Sequence, residues 1–251
     1  MKQRKKLKLW NKILPIIAAI LFLACLGFYI YISNYYHASS SALKALNEPQ
    51  SNITVEVQDN SRIIFQPEAP TAGLIFYPGG KVQYEAYAPL MEACAQRGIL
   101  CVLVHMPGNL AVLDINAADG IQEEFPEIKN WYMAGHSLGG SMAASYIKSH
   151  ANEYEGLVLL AAYSTEDLSQ SGLNILSIYG SEDGVLKMDS YKKYKKNLPE
   201  DFTELIISGG CHSYFGSYGA QNGDGIPTIT NESQISQTAE AIAEMVASKN
   251  N

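Results

Sequence analysis

From residue 53 onward the chain alternates short, continuous apolar runs with segments of mixed polarity. The runs at 73–77, 99–104, 131–134, 156–161, 174–179 and 204–207 are long enough for strands and too short for helices. Unbroken apolar character of this length suits strands covered on both faces, as in a parallel sheet. The intervening segments predict helices at 84–97, 117–124, 138–149, 189–197 and 235–247. Ahead of them, 53–57 and 62–65 flank the turn residues Asp59, Asn60 and Ser61 and predict an antiparallel hairpin. Strand and helix in alternation give an α/β fold, a mostly parallel sheet with helices on both faces. Ligands bind such sheets at the carboxyl ends of the strands.

A different pattern precedes residue 53. Residues 13–32 are almost wholly apolar and follow Lys2, Arg4, Lys5, Lys6, Lys8 and Lys12. At 1.5 Å per residue such a helix spans about 30 Å, the thickness of a bilayer's hydrocarbon core. The segment therefore predicts a transmembrane signal-anchor, with 1–12 as a basic cytoplasmic N-terminus, 33–52 as a linker and 53–251 as the folded domain. Tyr29, Tyr31, Tyr35 and Tyr36 suit an interfacial belt. A cleaved signal peptide is the competing reading, with small-residue sites at Tyr36-His37-Ala38 or Ser40-Ser41-Ala42, although the apolar stretch exceeds the usual signal core. Cys25 does not suit a lipoprotein site, because apolar residues continue past it. Six cations before the span and only Lys44 close behind it place the domain outside the cytoplasm, at the cell membrane or, after cleavage, secreted.

Candidate chemistry sits at the ends of the predicted strands. Gly-His-Ser-Leu-Gly-Gly, 135–140, follows an apolar run and opens a predicted helix, the setting of a G-x-S-x-G nucleophile elbow around Ser137. Asp183 and His212 each follow a later strand, so the chain order is Ser, Asp, His. In such a triad the imidazole moves the serine proton, and the carboxylate fixes its tautomer and stabilises its cation. The oxyanion of the tetrahedral intermediate needs two main-chain donors. Leu138 supplies one, and the turn Pro78-Gly79-Gly80-Lys81 the other, through Gly80 first and Lys81 next. His105, Met106 and Tyr163 end strands on the same rim and are candidates for substrate binding. His136 reads as a support, and Asp224 in Asn222-Gly223-Asp224-Gly225 as a turn residue. Asp189 reads as the cap of a helix.

With these residues in hand, the chain from about 53 to 248 resembles the α/β-hydrolase superfamily. It is similar to its small, lid-less, dienelactone-hydrolase-like serine hydrolases (α/β-hydrolase fold-5), which carry Tyr-Pro-Gly-Gly-Lys-Val after the third strand. Phe-Gly-Ser-Tyr-Gly-Ala-Gln-Asn-Gly-Asp-Gly, 215–225, resembles the stretch after the histidine in that group. The resemblance implies a hydrolase, usually of esters, in a family that also holds thioesterases, peptidases, lyases and acyltransferases. Fold membership does not choose among them.

Composition narrows the partners. A chain of 251 residues, 47% hydrophobic, suits one α/β domain with a large core. Without the six N-terminal cations, 12 Lys and Arg face 25 Asp and Glu, a formal charge of about −13, which argues against nucleic acid. Lys192, Lys193, Lys195 and Lys196 read as a solvated helix face. Four cysteines, one of them in the apolar span, form no disulfide framework and have no metal-ligand spacing. No metal or cofactor is expected. The connection from 161 to 174 is too short for a helical cap, which predicts an open site. The combined reading is a membrane-anchored carboxylesterase acting through an acyl-enzyme on small or extended esters. Its alternatives are an acyltransferase with the same triad and a non-catalytic surface binding protein that retains the fold.

Overall fold

The structure is a computed structural model that describes residues 2–59 and 61–248, with side chains from residue 13 onward. The basic residues 2–12 are thus described by backbone alone, and the turn residue Asn60 lies outside the described residues. The chain forms two compact units, Met1–Tyr35 and Tyr36–Asn251. The first is one helix, α1 (Lys2–Ser33), whose stretch Ile13–Ser33 is long and apolar enough to cross a membrane and has its side chains exposed.

The second unit is an eight-stranded sheet with helices on both faces. Its strands are β1 (Ile53–Gln58), β2 (Arg62–Pro67), β3 (Ala72–Tyr77), β4 (Ile99–Val104), β5 (Trp131–His136), β6 (Gly156–Leu160), β7 (Asn174–Gly180) and β8 (Thr203–Ile207). Their order is β1-β2-β4-β3-β5-β6-β7-β8. The opening hairpin and the β2–β4 pair are antiparallel, and every other pair is parallel. Strands β3 to β6 are buried along their whole length, as their unbroken apolar runs require.

Alternation at period two splits these runs between two cores. Leu74 and Phe76 of β3 join the core beneath α2 (Ser40–Asn47), α3 (Ala88–Ala95) and α6 (Asn231–Ser248). Ile75 and Tyr77 join the opposite core, beneath α4 (Leu138–His150). A short α5 (Met188–Tyr194) completes the helices.

The helices depart from the sequence pattern more than the strands do. Residues 84–97 begin as a 3-10 turn, Tyr84–Tyr87, before α3, whose first turn contains Pro89. The helix expected at 117–124 reduces to turns and Gln122–Glu124. Within the stretch read as a linker, Ser40–Asn47 is helical: Ser39 Oγ accepts the Ala42 N–H at 3.3 Å, and Ala42 and Ala45 are buried. No helix or strand lies between β6 and β7, so no cap rises over the strand ends there.

The order of strands locates the site. The chain passes from β3 to one neighbour, β4, and then returns to the other side of β3 as β5. The loops after β3 and β5 leave in opposite directions and open a crevice at the carboxyl edge. Tyr77 pairs with Gly135, so residues 78–81 and the Ser137 turn emerge side by side.

Candidate active site

Ser137 stands between β5 and α4 with φ 52° and ψ −120°, a conformation that costs a non-glycine residue about 1–3 kcal/mol. Tight packing around it holds the strain. A Cβ on Gly135 would meet Gly139 and Gly140 main chain at 2.6 Å, and one on Gly139 would lie 2.2 Å from the carbonyl oxygens of Tyr77 and Pro78. Only glycine lets strand, helix and the β3 loop approach this closely. Ser137 as a residue is left partly exposed.

Asp183 and His212 meet as the chain order predicts. His212 Nδ1 donates to Asp183 Oδ2 at 2.9 Å and lies 3.1 Å from Oδ1, with both side chains 1% exposed. Asp183 Oδ1 also accepts the N–H groups of Val185 at 2.9 Å and Leu186 at 2.7 Å, which fix the carboxylate from behind. His212 Nε2 is buried and has no hydrogen-bond partner. No hydrogen bond joins it to Ser137 in this structure, and such bonds commonly tighten only once substrate is in place.

The β3 loop has three N–H groups, and their partners single out one of them. Gly79 N–H donates to Tyr87 Oη at 3.0 Å, and Lys81 N–H to the Asn109 carbonyl at 2.7 Å. The Gly80 N–H has no partner among the described residues. Leu138 is the first residue of α4, where an N–H has no acceptor within the helix. A Cβ on Gly80 would lie 2.9 Å from Leu138 Cδ2, so the two residues are neighbours. Lys81, expected as the next donor, is removed from that role by its bond to Asn109.

Behind this pair lies a buried hydroxyl that sequence reasoning did not find. Tyr87 Oη accepts from Gly79 at 3.0 Å and is hydrogen-bonded to His136 Nδ1 at 2.8 Å. Burial pushes the Tyr87 phenol far above its usual range, so it stays protonated. Burial and then the neighbouring His212 lower His136 well below the usual histidine range, so its ring is neutral. The two imidazoles lie 4.5 Å apart between centroids. Tyr87 thus ties the β3 loop to the residue before Ser137, and His136 is a support, as expected.

Asp224 is the second missed residue. Its carboxylate accepts the N–H groups of Ser213 at 2.8 Å, Gly225 at 2.9 Å, His212 at 3.0 Å and Gly184 at 3.3 Å. It therefore ties the Asp183 loop to the His212 loop. Burial opposes its charge, but the donated N–H groups of Ser213, His212 and Gly184 outweigh it and hold the carboxyl below its usual range. Asn-Gly-Asp-Gly in sequence signals only a turn; three of the four donors come from other segments, the His212 loop and the Asp183 loop.

The remaining rim residues divide. Tyr163 is half-buried, stacks on Tyr194 at 5.5 Å, and its carbonyl accepts Ser141 Oγ at 2.9 Å, one turn beyond Ser137. His105 is half-exposed and packs on the Tyr84 ring at 4.8 Å. Met106 is 1% exposed and belongs to the core under α4, so it is a packing residue and not part of a substrate pocket. Cys211 is buried, and burial pushes its thiol up to about 11, which makes it a poor nucleophile. Asp189 lies in the first turn of α5 and makes no capping bond; the cap position falls on Lys187.

Comparison with known proteins agrees with this architecture. Among curated proteins, none matches the chain. Solved structures with similar folds include the dienelactone hydrolase from Anabaena variabilis, with 15% identity and TM-score 0.57 over 77% of this chain and 97% of that one. Est1E from Butyrivibrio proteoclasticus matches with 14% identity and TM-score 0.56 over 78% and 100%. Carboxyl esterase 2 from the fungus Tuber melanosporum matches with 10% identity and TM-score 0.58 over 84% and 91%. At these identities the likeness is one of fold. Residues 73–236 match the sequence model of the alpha/beta hydrolase family, a span that includes Ser137, Asp183 and His212. The chain belongs to the alpha/beta hydrolase family.

Proposed function

We propose that the chain is a serine hydrolase of carboxylic esters working through an acyl-enzyme. The observation that carries this reading is a strained Ser137 beside two unpaired main-chain N–H groups, with a buried Asp183–His212 pair on the same strand edge. Because Nδ1–H is donated to Asp183, Nε2 of a neutral His212 is the acceptor. It takes the Ser137 hydroxyl proton as Oγ attacks the ester carbonyl carbon. The carbonyl π electrons move onto oxygen, which receives the Gly80 and Leu138 N–H groups. Collapse expels the alkoxide, protonated by the imidazolium, and leaves the acyl group on Ser137. Water deprotonated by His212 then attacks the acyl carbon, Ser137 departs with the proton, and the acid is released.

Esterases among the similar folds support an ester substrate, and the uncapped strand ends favour small or extended esters over a lid-gated lipid. In this reading α1 anchors the catalytic unit outside the cytoplasm. A fluorophosphonate probe should label Ser137, and p-nitrophenyl esters of increasing chain length should be turned over. Formation of a new ester from an added alcohol, at a rate exceeding hydrolysis, would reassign the chain to acyl transfer. Absence of both labelling and turnover in folded protein would leave a binding protein. Full-length protein should stay with membranes through carbonate washing, and release by salt would remove the anchor.

A further inference from the structure

The segment that follows α1 is fastened to both sides of the crevice. Tyr36 forms a parallel bridge to Val82: its N–H donates to the Lys81 carbonyl at 2.8 Å, and Gln83 N–H donates to the Tyr36 carbonyl at 2.9 Å. Ala38 N–H donates to Gln83 Oε1 at 3.0 Å. On the other flank, Asn222 N–H donates to Tyr36 Oη at 3.1 Å, and Ser39 N–H to the Ser217 carbonyl at 2.8 Å. The Tyr36 ring packs on that of Tyr218 at 5.6 Å. One flank directly follows Gly80, and the other lies between His212 and Asp224.

Lys81 makes this attachment consequential. Its φ of 60° is disfavoured for a residue with a Cβ, and such backbone persists only where the surroundings over-determine it. Asn109 holds its N–H, Tyr36 holds its carbonyl, and Tyr87 holds Gly79 one residue before Gly80. Releasing the Lys81 carbonyl lets Lys81 relax toward negative φ and shifts Val82, whose N–H donates at 3.3 Å to the Gly79 carbonyl, the oxygen of the same peptide plane that carries the Gly80 N–H.

Resting on the serine hydrolase reading, we propose that residues 36–39 are a strap that positions the oxyanion donor Gly80, with Tyr36 as the positioning residue. The stretch after the candidate membrane span is then a working part of the site. Cleavage after Ala38 or Ala42 would detach the strap from the chain and give an enzyme deficient in transition-state binding.

The test uses full-length protein in detergent, with Tyr36→Pro to delete the N–H that holds Lys81 and Gln83→Ala to delete the acceptor for Ala38. Four quantities are compared with the wild type: kcat and KM on p-nitrophenyl acetate, the affinity of an alkyl boronic acid that forms a tetrahedral adduct, and Tm. Misaiming one oxyanion donor should lower kcat about 10- to 100-fold in Tyr36→Pro, somewhat less than its removal. Boronate affinity should fall in step, while KM stays within about two-fold. Gln83→Ala should show the same split at about 2- to 5-fold, and it decides the matter if Tyr36→Pro does not fold. A lowered Tm with unchanged kcat and boronate affinity per folded molecule would overturn the strap, leaving a merely structural segment. Wild-type protein that reacts with no fluorophosphonate at Ser137 would overturn the serine hydrolase reading itself, and the strap with it.

Discussion

The two halves of the site are tied together by opposite means. On the oxyanion side, the β3 loop and the Ser137 turn are joined by a neutral hydroxyl, Tyr87, with further neutral main-chain bonds from Asn109 and Tyr36. On the acid–base side, the Asp183 and His212 loops are joined by a charged carboxylate, Asp224, which takes four N–H groups. The difference follows the charge the oxyanion side must stabilise. A fixed anion beside the Gly80 and Leu138 donors would oppose a developing oxyanion, so that side is braced without charge. On the acid–base side a carboxylate can serve, because main-chain N–H groups satisfy its charge and none of them belongs to an oxyanion donor.

The comparison breaks first at the triad. Asp183→Asn should lower kcat by about four orders of magnitude through the wrong imidazole tautomer, with folding largely kept. Retained turnover in that variant would move the acid elsewhere, with Asp224 the next carboxylate to test. Tyr87→Phe removes the neutral tie and should lower kcat about 10- to 100-fold with KM little changed. It also leaves the Gly79 N–H and His136 Nδ1 buried without a partner, at a cost of about 1–3 kcal/mol in denaturant unfolding.

Asp224→Asn sharpens the contrast. An amide cannot accept on both of its polar atoms, so the Asp183 and His212 loops loosen and kcat should fall about 10-fold. Because the depressed Asp224 carboxyl is gone, the loss of stability on acidification below about pH 4 should weaken in this variant and be kept in Tyr87→Phe. The same weakening in both would erase the distinction between the halves.

Stability against pH separates the halves again. His136 titrates below its unfolded value, so the unfolded chain binds the extra proton first on acidification. Stability should therefore be flat above about pH 7 and decline as pH falls through about 6.5. Asp224 is also depressed, and its contribution, complete above about pH 4, is lost only as pH falls further. Thermal melts across pH 3–8 should show the two declines. Smallest of all is Asp189→Asn: without a capping bond, only the favourable interaction with the α5 N-terminus is lost, less than about 0.5 kcal/mol, with kcat unchanged.

Much of this was legible in the chain because local signals carry it. Unbroken apolar runs marked β3 to β6, and the glycines around Ser137 marked the turn that their close packing requires. Gly80 and Leu138 could be named because loop and helix starts expose N–H groups. The ties were not legible. Tyr87 looks like one more apolar helix residue, and Asp224 like a turn, until segments far apart in sequence meet around them. Met106 failed for the same reason, since a strand-end residue can face the crevice or the core and only packing decides. Alanine-rich Ser40–Asn47 was too short to stand out, being held by a serine cap and two buried alanines.

The central claim is that Ser137 is the nucleophile. It is tested most directly by mapping a fluorophosphonate adduct by mass spectrometry in wild-type protein and in Ser137→Ala, beside ester turnover. The account predicts one adduct, on Ser137, lost together with turnover in the variant while the melting transition is kept. An adduct elsewhere, or undiminished labelling and turnover in folded Ser137→Ala, would contradict it.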